Sequence, residues 1–115
     1  MQSVLTRRML AFAVAAGLLF GASHVIAQPA AAPGQITIDN FAFEPANLTI
    51  KAGTTVEWLN RDEEPHTVVG VDPALPFKSP ALDTGDKYSQ RFDKPGTYKY
   101  FCSIHSHMVG TIVVQ

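Results

Sequence analysis

The chain has 115 residues, which is enough for one domain. Nine basic and ten acidic residues give a formal net charge of −1, and this balance argues against binding to nucleic acid, which needs a basic surface. Cys102 is the only cysteine, which excludes an internal disulfide.

Residues 1–27 predict a secretory signal peptide, with Arg7 and Arg8 as the positive start, an apolar run over residues 9–22, and small residues ending at Ala27. A retained membrane anchor is the alternative, but this run is shorter than the roughly 20 residues that span a bilayer. We expect cleavage, export to the periplasm or a similar compartment, and no stable membrane insertion. Both the Sec and the twin-arginine route stay open.

Residues 28–34 predict a linker, and residues 35–115 predict one domain that keeps all ten acidic residues. Apolar residues recur with a period of two, which is typical of strands with one buried face. The pairs are Ile36 and Ile38, Leu48 and Ile50, Val56 and Trp58, and Tyr98 and Tyr100. Turn residues separate these short runs, and residues 111–114 are β-branched. The pattern predicts an all-β domain, an antiparallel β-sandwich or small barrel.

The segment around Cys102 indicates the chemistry. Tyr98, Tyr100 and Cys102 lie two residues apart, so their side chains share one face of the strand and the sulfur points inward. His105 and Met108 follow at three and six residues from the cysteine, in a loop short enough to fold both back over the sulfur.

A second histidine, His66, follows Pro65 and begins the apolar run 67–69. A strand packed beside the Cys102 strand would bring its imidazole to the same point. Two imidazoles, one thiolate and a distant thioether are the ligands of an electron-transfer copper site. The residues therefore predict a single ion that changes between Cu(I) and Cu(II).

These motifs resemble the cupredoxins, the family of plastocyanin, pseudoazurin and amicyanin. The resemblance rests on Pro65-His66, the run GTYKYFC at 96–102 and the Cys-x-x-His-x-x-Met loop, whose short gaps are most similar to amicyanin. It covers residues 35–115 and implies a Greek-key antiparallel β-sandwich. It also implies the copper ligands, which are His66, Cys102, His105 and, as the axial thioether, Met108.

The sequence departs from the family pattern at two places. Thr67 stands where the family usually has an Asn that ties the two ligand loops together, so we expect a weaker tie. Ser106-His107 follows the second histidine where amicyanin has a proline, which makes His107 a rival of Met108 for the axial position. The acidic run 62–64 is interpreted as a solvated turn, with a docking patch as the alternative, and Phe41 as a core residue.

We expect a monomeric one-electron carrier that docks briefly with redox partner proteins near His105. Ala74, Leu75, Pro76 and Val109 are the residues predicted for an apolar docking patch. A periplasmic copper carrier or storage protein is the alternative, although such proteins often have several exposed methionines or histidines. An enzyme is not expected, because a trinuclear copper cluster needs many more histidines than this domain has.

Overall fold

The structure, a computed structural model, describes residues 34–115 and, besides these, Gly17. The predicted signal peptide and almost the whole predicted linker lie outside the described residues. The strands, in chain order, are β1 (Gly34–Asp39), β2 (Ala42–Glu44), β3 (Asn47–Ile50), β4 (Thr54–Asn60), β5 (Val69–Gly70), β6 (Lys87–Phe92), β7 (Gly96–Phe101) and β8 (Val109–Val114).

The strands form two four-stranded sheets, one in the order β2-β1-β4-β6 and the other in the order β3-β8-β7-β5. The inward positions that the sequence predicted are buried, since Ile38, Val56 and Trp58 are 0% exposed. The sheets pack through these side chains, which confirms the predicted β-sandwich. Within the described residues, no helix has both the length and the apolarity needed to cross a membrane.

The sheets are mixed, whereas the sequence predicted antiparallel ones. β1 runs parallel to β4, and β3 runs parallel to β8; the other pairings are antiparallel. Parallel neighbours need a long crossover in place of a tight turn. The chain between β1 and β4 provides it, because it passes through β3 in the opposite sheet.

The residues of the predicted metal site lie at one end of the sandwich. β5 and β7 are neighbours, with Val69 opposite Phe101, so the chain before β5 lies beside the residue that follows β7. The opposite sheet contributes the turn between β1 and β2 and the loop after β4 to the same end. Three separate segments therefore meet where Cys102 leaves its strand: the β1–β2 turn, the chain between β4 and β5, and the loop after β7.

Candidate metal centre

Cys102 directly follows β7 and is fully buried, as the inward phase of Tyr98 and Tyr100 predicts. The loop after it is closed by its own backbone: the Cys102 N–H donates to the Met108 carbonyl at 3.1 Å, and the Met108 N–H donates to the His105 carbonyl at 2.9 Å. These two bonds turn the chain back on itself within seven residues and help to define the shape of the loop.

His66 comes from a different segment and is also fully buried. Its backbone is fixed by a bridge to Leu82, with the His66 N–H donating at 3.1 Å and the Leu82 N–H returning a bond at 2.8 Å. The residues that follow pair with β7 through Val69 and Phe101. The imidazole is therefore held beside the cysteine, as we predicted from the run 67–69.

The ligand atoms of three predicted residues converge. Cys102 Sγ lies 3.8 Å from His66 Nδ1 and 3.9 Å from His105 Nδ1, and the two nitrogens are 3.2 Å apart. A point equidistant from the three atoms lies about 2.1 Å from each, which matches the roughly 2.0 to 2.3 Å bonds that metals form with imidazole and thiolate. The three side chains fit one trigonally bound ion, and they form the one potential metal group among the described residues.

The two rivals for the axial position differ in burial. Met108 is 2% exposed, within the core. His107 is exposed, and its ring centroid lies 6.5 Å from that of His105. A weak thioether ligand needs a dry position close to the metal, so burial favours Met108.

The thiol of Cys102 is prepared for metal binding. Burial by itself raises the pKa of this thiol. Backbone hydrogen bonds, of which the one from the Thr67 N–H has the largest effect, help to outweigh burial, and the pKa falls from 9.0 to about 6. Because the thiolate is the form that binds metals, these donors favour the ligand state at neutral pH.

Thr67 joins the two ligand loops. Its hydroxyl accepts a 2.7 Å hydrogen bond from the Ser103 N–H and lies 2.7 Å from the Ser103 hydroxyl, while its own N–H donates to Cys102 Sγ at 3.4 Å. Threonine therefore makes a tie between the two loops at this position, and that it is weaker than an asparagine tie stays a prediction. The short hydroxyl reaches its partner because the two backbones run close together here.

Two residues at the site were missed. Phe41, expected in the core, is 41% exposed, and its ring packs edge-on against His66 at 5.5 Å and His105 at 5.0 Å between centroids. Asp62, interpreted as part of a solvated turn, accepts a 2.9 Å hydrogen bond from His66 Nε2. The Phe41 N–H and the His66 ring lower the pKa of the Asp62 carboxyl. The spacing of four residues between Asp62 and His66 was the available signal.

The predicted docking residues are divided between two places. Ala74 and Leu75 line a surface cavity of about 340 Å³ with Lys94 and Tyr98, near the start of β7, whereas Cys102 follows the end of that strand. Val109 lines a different cavity with Val71 and Phe101. Large apolar side chains that are exposed include Val71, Ile104 and Val109 in addition to Phe41.

A family model described as a cupredoxin-like domain matches residues 9–114. The chain belongs to the cupredoxin-like family. Among curated relatives, it is 33% identical over 108 residues to amicyanin-alpha of Methylorubrum extorquens, covering 91% of each chain. It is 43% identical over 84 residues to plastocyanin of Scenedesmus fuscus, covering 64% of this chain and 86% of the plastocyanin.

The similar solved structures also include cupredoxins. A purple cupredoxin from Nitrosopumilus maritimus is 38% identical with a TM-score of 0.66, over 71% of this chain and 99% of that one. A reduced amicyanin mutant is 34% identical with a TM-score of 0.70, over 73% of this chain and 83% of the amicyanin. A copper-containing nitrite reductase from Thermus scotoductus is 37% identical with a TM-score of 0.68. That match covers 73% of this chain but 22% of the enzyme.

These likenesses confirm the cupredoxin resemblance and the sandwich fold. They also confirm the predicted function and cofactor, a one-electron carrier with copper as its metal, since this cupredoxin matches amicyanins and plastocyanins over most of its described residues.

Proposed function

We propose that His66, Cys102 and His105 hold one copper ion in a trigonal site, that Met108 is its axial ligand, and that the protein passes single electrons between partner proteins. The convergence of one sulfur and two imidazole nitrogens within 3.9 Å of one another carries this proposal. Bound copper would supply the one-electron change between Cu(I) and Cu(II).

The chain's own residues support a carrier. Three of the proposed ligands are buried, and the His105 ring is the partly exposed one, so it is the natural route for an electron between the site and the surface. Backbone bonds close the ligand loop, and Thr67 ties it to the His66 loop. Ligands held this firmly move little on electron transfer, whereas a carrier of copper itself needs ligands that open.

We place the docking surface around His105, with Phe41 and Ile104 as its exposed apolar members and Val109 at its edge. Such surfaces form small and brief encounters with redox proteins. We further propose that the protein is exported to the periplasm after cleavage near Ala27, acts as a monomer and catalyses no reaction of its own. The nitrite reductase likeness concerns about a fifth of that enzyme, so it supports a shared domain.

The test is the visible spectrum of the purified protein after addition of Cu(II). A strong thiolate-to-copper absorption is expected, and it should be lost in C102A, H66A and H105A, while H107A serves as the matched histidine control. A protein that stays colourless with copper contradicts the proposal. Copper release to a chelator that outpaces electron self-exchange would instead favour copper delivery or storage.

A further inference from the structure

The carboxylate of Asp62 is fixed by three donors. Its Oδ1 accepts the Glu63 N–H at 2.9 Å, and its Oδ2 accepts both the Phe41 N–H and His66 Nε2, each at 2.9 Å. The Asp62 side chain is 12% exposed, and the His66 side chain that it contacts is fully buried. One oxygen atom therefore connects the buried histidine with the main chain of the β1–β2 turn.

The bond to Asp62 decides the state of the His66 ring. An ionised carboxylate only accepts hydrogen bonds, so Nε2 must carry the proton. In the neutral ring, Nδ1 then has a free lone pair, and Nδ1 is the atom that faces Cys102 Sγ and His105. Carboxylates behind metal-binding histidines fix the ring in this way and raise its basicity.

Phe41 occupies a backbone conformation that does not suit it. Asn40 and Phe41 form the two-residue turn between β1 and β2 with φ of 49° and 57°. Turns of this kind favour Asn-Gly, and a side chain such as phenylalanine costs roughly 1 to 2 kcal/mol there. A strained and partly exposed aromatic residue needs a compensating role, and its ring lies against both imidazoles.

We propose that Asp62 is the positioning residue of the metal centre. Through one oxygen it orients the His66 ring for metal binding and anchors the turn that holds Phe41 over His66 and His105. This inference rests on the proposed copper function and deepens it. The carboxylate adds negative charge behind one ligand, which favours Cu(II) over Cu(I), and the Phe41 ring restricts the movement of His105 and keeps water from the site.

The decisive variant is D62N, which removes the charge and leaves one acceptor oxygen for the three donors. In the metal-free protein, nitrogen-15 NMR of the imidazoles should show one Nε2–H tautomer for wild-type His66 and a mixture in D62N. In the copper protein, Cu(II) should weaken relative to Cu(I) by about tenfold, which raises the potential by about 59 mV.

The matched control is E64Q. Glu64 is exposed and lies two residues from His66, so this change removes an equal charge with no side-chain contact to the ring. Its shift in potential should be less than half of that in D62N, and its His66 tautomer should be that of the wild type. Equal potential shifts in the two variants, or an unchanged tautomer in D62N, would overturn the proposal.

A second variant, F41L, tests the ring and keeps the backbone N–H. Because Phe41 is partly exposed, F41L is expected to fold even if D62N does not, and it should lose copper to a chelator faster than the wild type with an unchanged His66 tautomer. Copper loss at the wild-type rate would overturn the role of Phe41. If the wild-type protein stays colourless with copper, the proposed copper function is wrong. The NMR comparison of the metal-free proteins still tests the role of Asp62 in that case.

Discussion

The hydroxyl oxygen of Thr67 lies 2.7 Å from the backbone nitrogen of Ser103, and this bond joins two loops that are 36 residues apart in the chain. It crosses from the residue after one histidine ligand to the residue after the cysteine. This side-chain oxygen therefore adds to the backbone contacts that hold His66 beside Cys102.

Replacing Thr67 by valine keeps the shape of the side chain and removes this oxygen. We expect T67V to lower the free energy of unfolding of the metal-free protein by about 1 kcal/mol or more, since the Ser103 N–H loses its partner. T67N should recover most of the loss because its amide oxygen accepts the same bond. Thermal unfolding measures both, with T97V on the exposed face of β7 as the control. A stability of T67V equal to that of T97V would contradict the tie.

Two substitutions distinguish Met108 from His107 as the axial ligand. M108L removes a buried thioether and should change both the thiolate-to-copper absorption and the reduction potential, because the axial ligand tunes the potential of such sites. H107A removes an exposed imidazole and should change neither. The opposite outcome, an altered spectrum in H107A with M108L unchanged, would make His107 the ligand.

The low pKa of Cys102 predicts a pH dependence of the metal-free protein. Between about 6 and 9.0 the folded state holds the thiolate while the unfolded chain holds the thiol. The unfolded state then binds more protons, so stability rises with pH. The pH-dependent part of the stability difference between wild type and C102A should be complete above pH 9 and lost as the pH falls through 6. Unfolding at several pH values measures it, and a constant difference would contradict the lowered pKa.

Gly110 is required by the ring of Tyr100. A Cβ at position 110 would lie 2.2 Å from the Tyr100 hydroxyl, inside the core. G110A should cost about 3 kcal/mol or more of unfolding free energy, at the upper end of overpacking effects. In G34A the new Cβ meets Leu48 at 3.0 Å, a flexible side chain that can move, so its loss should be smaller. Comparable losses in the two variants would argue against the close packing at Gly110.

Two substitutions that introduce the same negative charge at different places test the docking surface. I104D places a charge beside His105, and L75D places it in the cavity near Tyr98. In electron self-exchange two copies meet through the same face, so I104D brings like charges together and should slow the reaction about tenfold. L75D should have a much smaller effect. A larger effect of L75D would move the surface toward the residues first predicted for it.

The sequence predicted the buried faces and the ligand loop because both are local patterns. Alternation gives the inward face of Val56 and Trp58, and the spacing from Cys102 to His105 and Met108 lies within one loop. Alternation contains no information on which strand lies beside another, so the parallel pairs were missed. The contact between Phe41 and Asp62 joins residues 21 positions apart, and no local sequence pattern predicts it.

The backbone bonds between Cys102, His105 and Met108 have a consequence for how the protein binds its ion. Bonds within the polypeptide close this loop, so part of the order that a metal site requires is provided by the chain itself. The ion then has fewer groups to order when it binds, so more of its binding free energy is left for affinity.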